Sequence, residues 1–143
     1  MEKVDEATIR RILENSKVIA VVGLSDKPER HSFQVASYLQ ASGYRIIPVN
    51  PSVESVLGER SYPDLDALPT SVDVVDVFRR SEAAPQLAED AVRAGAKVLW
   101  LQRGVVSEEA AQVARAAGLD VVMDDCMMDE HKRLFGHPGG SGV

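Results

Sequence analysis

The chain has 143 residues, 45% of them apolar and 27% charged, with 16 Lys and Arg against 22 Asp and Glu and a net charge of −6. That length and balance fit a single globular domain spanning residues 1–143, and the acidic net charge argues against general nucleic-acid binding, which favours a basic face. One cysteine, Cys126, excludes an internal disulfide and any multi-cysteine metal site. No apolar run approaches the ~18–20 residues of a membrane span, and the charged start of the chain carries no leader-type apolar core. The expectation is a cytoplasmic protein with neither a membrane nor a nucleic acid as partner.

Residues 5–15 read as an amphipathic helix, with Asp5 as N-cap and Ile9, Ile12 and Leu13 on one face. Residues 18–22 form a β-branched apolar run, the pattern of a strand buried on both faces. The run ends at Gly23 and passes through a polar loop with Ser25, Lys27, Pro28, Arg30 and His31 into a helix that starts near Ser32. That helix stops at Gly43, and a second strand covers 44–49 and ends at Asn50-Pro51. Residues 52–71 read as a short helical turn within an irregular connection. A third strand spans 72–78, its valines interrupted by Asp73 and Asp76.

A helix over 81–94 follows, with Ala84, Leu87, Ala88, Ala91 and Val92 on one stripe. Strand 97–101 comes next, then a helix from Ser107 with Glu108 and Glu109 in its first turn. Strand 119–123 and a short helix over 129–135 complete the pattern, and residues 136–143 have the composition of a flexible end. Strands alternating with helices that end in glycine predict an α/β fold, a Rossmann-like doubly wound parallel five-stranded sheet with helices on both faces. The expected strand order, numbered along the chain, is 3-2-1-4-5. The switch point, where such sheets bind ligands at the carboxyl ends of their strands, then falls between the first and fourth strands.

The loop after the first strand is the chemical centre of the chain. Glycine at a strand end, a basic loop and a helix N-terminus together form an anion-binding arrangement. The loop has only Gly23 of the dinucleotide fingerprint, and it lacks the Lys-Ser/Thr of a phosphate loop. The second strand ends in Asn50 where NAD-binding proteins usually offer an acid, so NAD is disfavoured. Lys27 and Arg30 either solvate a surface loop or bind phosphate. Asn50-Pro51 is a turn or a contact to a base or ribose. Phe78-Arg79 offers an aromatic face and a planar cation, or Phe78 joins the core. Gln102 can orient a ligand amide, and Cys126, beside Asp124 and Asp125, reads as a small buried hydrophobe. His131, beside Glu130, reads as a solvated pair. No metal motif and no nucleophile elbow occurs in the chain.

Five segments in order, residues 18–30, 46–51, 72–80, 96–102 and 124–127, resemble the small stand-alone CoA-binding proteins. Their fold is similar to the CoA-binding domain of the succinyl-CoA synthetase α subunit. The resemblance covers about residues 5–135. It implies a nucleotide-binding domain that takes coenzyme A at the strand ends. With the phosphate loop and no catalytic set in the sequence, the expectation is a module that binds CoA or an acyl-CoA without catalysis of its own. Gly23, Leu24 and Ser25 with Lys27 and Arg30 take the phosphates, beside the helix start at Ser32. Val49, Asn50 and Pro51 with Phe78 and Arg79 line the nucleotide and pantetheine track, and Gln102 and Cys126 lie across the switch point. The chain departs from the family pattern at His31, Arg103 and Asp125, and the synthetase's phosphohistidine domain has no counterpart, so ligase activity is not carried over. The alternatives are a small nucleotide-dependent oxidoreductase or transferase, and a CoA-responsive sensor or scaffold.

Overall fold

The computed structural model describes residues 4–136. Helix α1 (Glu6–Asn15) is capped as its sequence predicts, the Asp5 carboxylate accepting from Thr8 N at 2.9 Å. Strand β1 (Val18–Val22) leads through the polar loop to α2 (His31–Ala41) and then β2 (Arg45–Val49). The connection that follows contains a small hairpin, β3 (Ser55–Val56) with β4 (Glu59–Arg60), and a 3₁₀ turn at Leu65–Ala67. Strand β5 (Val74–Val77), α3 (Ala84–Arg93), β6 (Val98–Leu101), α4 (Glu108–Ala116), β7 (Asp120–Val122) and α5 (Met127–Phe135) complete the chain. A 3₁₀ turn at Ser81–Ala83 introduces α3. The final helix begins two residues earlier than its sequence suggests. Of the segment read as a flexible end, residues 137–143 lie outside the described residues.

The main sheet is five-stranded and parallel throughout, in the order β2-β1-β5-β6-β7. The doubly wound α/β class is as expected, but the order corrects the sequence reading. Counted along the chain within this sheet, it is 2-1-3-4-5 rather than 3-2-1-4-5. The third strand lies beside β1, not outside β2. Residues 50–73 carry the chain across β1 instead of winding a helix outward, and Leu65 and Val72 anchor that path in the core shared with α3 and α4. Pro48 within β2 was the available signal. Proline cannot donate to a strand ladder and is confined to edge strands, and β2 is an edge strand. The correction moves the switch point to the gap between β1 and β5.

Two apolar layers sandwich the sheet. On one face Ile19, Val21, Val74 and Trp100 meet α1, α2 and α5. On the other, Ala20, Val22, Val75 and Val77 meet α3 and α4. The inner stripes of α3 and α4 are alanines, Ala84, Ala88, Ala91, Ala110, Ala111 and Ala114, all fully buried. Small side chains let these two helices lie close together and close to the sheet. The N-terminus of α4 is capped by Ser107 Oγ, which accepts from Ala110 N at 3.1 Å.

The first of the two strand aspartates has a structural task at the amino ends of the strands. Asp73 Oδ2 accepts from both Lys17 N (2.8 Å) and Val18 N (2.9 Å), locking β1 and β5 together where they start. Charge-assisted bonds to backbone N–H groups are among the stronger ones. Asp73→Ala is expected to lower stability by ~1–3 kcal/mol in urea unfolding. Asp73→Asn, which keeps an acceptor, should recover part of that loss.

Candidate ligand-binding site

At the carboxyl ends, β1 and β5 part into connections on opposite faces of the sheet. From Gly23 the chain turns toward α2, and from Phe78 toward α3. Gly23 adopts φ +84°, and a Cβ built there would lie 2.3 Å from Phe78 O and 3.3 Å from Arg79 Nε. Gly23 N donates to Val49 O at 2.9 Å, and Phe78 N donates to Val22 O at 2.9 Å. Only glycine permits both the left-handed backbone and this close approach.

The loop beyond Gly23 is tied by its own polar groups. Ser25 N donates to Ser32 Oγ, Lys27 N donates to Ser25 Oγ, and Arg30 N donates to Lys27 O, each at 3.0 Å. Asn50 Nδ2 donates to Leu24 O at 3.0 Å, and Asn50 Oδ1 accepts from Ser52 N at 2.9 Å. The Asn50 amide therefore holds the end of β1 to the turn after β2. Leu24 and Val49 are buried in the core and offer no side-chain surface, and Pro51 is exposed. No side chain caps α2, and its first turn carries no acid. Its N-terminal N–H groups face the crevice with the positive end of the helix dipole.

Lys27, Arg30, Arg79 and Arg80 are all exposed here. Several cations elsewhere have acidic partners, Arg11 with Asp120, Arg93 with Asp66 and Asp90, and Arg133 with Glu6 and Glu130. These four make no ion pair among the described residues. In a chain of net charge −6, unpaired cations gathered at one helix N-terminus mark where an anion is favoured.

A cavity of about 450 Å³ opens beside them, lined by His31, Phe78, Arg79, Arg80, Gln102, Arg103 and Val105. His31 meets Phe78 edge-on, with ring centroids 6.1 Å apart. Arg103 is held by Asp129 at 2.8 Å. Another hollow, between the 3₁₀ turn at Leu65 and the end of α3, lies at the opposite end of the strands, and its one cation, Arg93, is already paired. The switch-point cavity combines an apolar wall, cations without ion pairs among the described residues and a helix N-terminus.

Its floor is unusual. Asp76, at the centre of the sheet, is fully buried, and Gln102 Nε2 donates to Asp76 Oδ1 at 2.8 Å. Asp76 Oδ2 and Gln102 Oε1, both acceptors, have no hydrogen-bond partner among the described residues. Burial pushes the Asp76 carboxyl up from 3.8 to about 7, against the opposing effect of the Gln102 bond. Cys126 is 1% exposed, its thiol 3.8 Å from His31 Nε2, and burial pushes its pKa up too. Asp125 Oδ1 accepts from Cys126 N at 2.9 Å, and Asp125 O accepts from Trp100 Nε1 at 2.9 Å, so this segment is fixed to the sheet.

Sequence reasoning assembled the loop, Phe78, Arg79, Gln102 and Cys126 at one end of the sheet. It left Arg80 out of the site, and it read His31 as an aid to phosphate binding and Arg103 as a phosphate or carboxylate contact or a solvent-facing residue without placing either in the site. Arg80 follows Arg79 at a strand end, which was signal enough. Asp76 gave none, because nothing local tells a buried carboxyl from a solvated one. His131 departs from its solvated reading. Tyr38 Oη donates to Gly136 O at 2.7 Å and lies 2.8 Å from His131 Nδ1, and the imidazole packs against Tyr38, Tyr44 and Phe135. It anchors α5 to α2, and burial holds its pKa below the usual histidine value.

The fold and the crevice define a doubly wound α/β domain with cations gathered at its switch point. The family model for the CoA binding domain matches residues 17–132, and the chain belongs to that family. A Bacillus subtilis (strain 168) protein called Uncharacterized protein YneT is 44% identical over 131 residues, covering 92% of this chain and 97% of that one. A hypothetical protein from Pyrococcus horikoshii OT3 superposes with a TM-score of 0.90 at 42% identity, covering 95% of this chain and all of its own. The ADP-forming acetate–CoA ligase II of Archaeoglobus fulgidus is 26% identical over 95 residues, which is 65% of this chain but 14% of the ligase.

Two outcomes test this geometry. Gly23→Ala is expected to cost more than ~2 kcal/mol, from left-handed strain plus the clash with Phe78 O. Gly118→Ala, at φ +91° with open space around it, should cost ~1–2 kcal/mol, and equal losses in urea unfolding would remove the clash from the account.

The second concerns Asp76. The folded chain keeps its proton up to about pH 7, whereas the unfolded chain releases it near 3.8. Between those values the folded state binds more protons, so rising pH costs stability, by on the order of 4 kcal/mol once above pH 7. Relative to Asp76→Asn, the wild type should therefore lose roughly 3 kcal/mol between pH 5 and pH 8. A difference that does not change with pH would show that Asp76 is ionised throughout.

Proposed function

We propose that this protein binds coenzyme A in the crevice between β1 and β5 and acts as a binding module without catalysis of its own. The observation that carries this reading is the set of four unpaired cations, Lys27, Arg30, Arg79 and Arg80, around the uncapped N-terminus of α2 in a member of the CoA-binding family. CoA carries a pyrophosphate and a ribose phosphate, more negative charge than one helix end neutralises. In this reading Lys27 and Arg30 take phosphate with the first N–H groups of α2. Phe78 and Arg79 flank the nucleotide. The pantetheine arm runs across Gln102 toward Cys126.

The non-catalytic part of the reading is supported by the state of the candidate groups. The Cys126 thiol is buried and made less acidic by its surroundings, the opposite of an activated nucleophile. His31 has the Cys126 thiol and the Phe78 ring beside it and no carboxylate partner among the described residues. The ligase activity named for the Archaeoglobus relative belongs to a protein of which this chain spans 14%.

Calorimetric titration with CoA, dephospho-CoA, NAD and ATP tests the assignment. CoA is expected to bind most tightly and dephospho-CoA more weakly, and NAD binding as tightly as CoA would overturn the reading. Lys27→Ala and Arg30→Ala should each weaken CoA by ~1–3 kcal/mol, the range of a lost charge-assisted bond. Unchanged affinity in both variants would move the phosphates off this loop.

A further inference from the structure

The buried pair Asp76–Gln102 has one hydrogen bond and two unanswered acceptors. Both orphan atoms sit on residues already joined to each other, so one proton shared between them would satisfy both. Gln102 also lines the switch-point cavity, whereas Asp76 does not reach it. We propose that Asp76 is a positioning residue. In its neutral form it donates from Oδ2 to Gln102 Oε1, fixes the carboxamide at the floor of the crevice, and makes capture of an anionic ligand depend on one proton. The inference rests on CoA, or a ligand of like charge, occupying that crevice.

The surroundings support it. Asp76 is flanked in the sheet by Val21 and Trp100, both apolar and fully buried. Cys126, at the start of α5, feels the Asp76 charge, and His31, at the start of α2, stands beyond the thiol. The cations nearest the cavity mouth, Arg79 and Arg80, are exposed, and Arg103 is engaged by Asp129. Among the described residues no buried cation compensates an ionised Asp76. A ligand bearing several negative charges, bound in the crevice above, disfavours a further anion beneath it. Binding should then draw a proton onto Asp76, and by linkage the protonated protein should bind the ligand more tightly.

Titration of CoA into the protein at pH 7.5, repeated in buffers of different ionisation enthalpy, reads the protons taken up on binding. The wild type is expected to take up a fraction of a proton that Asp76→Asn does not. Because only the protonated fraction is competent, the wild-type dissociation constant should rise by up to about tenfold from pH 7.5 to pH 8.5. That of Asp76→Asn, whose amide is a permanent donor, should stay within about twofold. Infrared difference spectra of the wild type add a measurement that needs no variant. A protonated-carboxyl stretch present at pH 6 should fade by pH 8.5 in the free protein and persist to higher pH with CoA bound. Equal proton uptake in wild type and variant, or a carboxyl signal indifferent to CoA, would overturn the role of Asp76 while leaving CoA binding intact. Failure of CoA to bind at any pH would instead remove the functional reading on which the inference rests.

Discussion

Everything about the crevice depends on how closely β1 and β5 approach where they end. Gly23 faces the Phe78 carbonyl at a distance that no side-chain carbon tolerates. From that contact the two chains diverge, one to α2 and one toward α3, and the space they leave is the cavity. The bonds from Gly23 N to Val49 O and from Phe78 N to Val22 O stitch three strand ends into one rigid rim. The polar loop groups, Asn50 and the hydroxyls of Ser25 and Ser32, are engaged in holding the loop and that rim. What remains for an anion is backbone N–H at the start of α2 and the cationic side chains around it.

The electrostatics divide along the same line. Acids outnumber bases in the chain, yet the carboxyl end of the sheet gathers Lys27, Arg30, Arg79 and Arg80, which make no ion pair among the described residues. Asp125, where the chain departs from the family pattern, directs one carboxylate oxygen to the backbone of Cys126. The one acid placed beneath the cavity, Asp76, is kept neutral to about pH 7 by burial. A carboxylate ionised there would oppose phosphate binding. A carboxylic acid does not, and it brings a donor that the pair with Gln102 otherwise lacks.

The loss of solvent that raises Asp76 also silences Cys126, and it anchors α5 through His131 and its aromatic neighbours. Three of the reactive-looking groups in this chain are thus explained by where the core closes. The long-range counterparts of that closure are Trp100 Nε1 with Asp125 O and Tyr44 Oη with Leu13 O, each joining segments distant in sequence.

The sequence by itself determined the elements and their class. Apolar periodicity, Asp5 and Ser107 as caps, and glycines at helix ends are local signals, and local backbone physics makes them legible. It also placed Lys27, Arg30, Arg79 and Gln102 at strand ends, because alternation of strand and helix brings those ends together whatever the order. The order itself was decided by tertiary structure. Right-handed crossovers allow the third strand on either side, and the choice lies in which edge residues 50–73 can cover with Leu65 and Val72. Pro48 alone hinted at the outcome. The burial of Asp76 and the coupling of His131 to Tyr38 were likewise invisible. A residue's protonation and partners follow from how much water the fold leaves around it, and that is a property of packing between segments far apart in the chain.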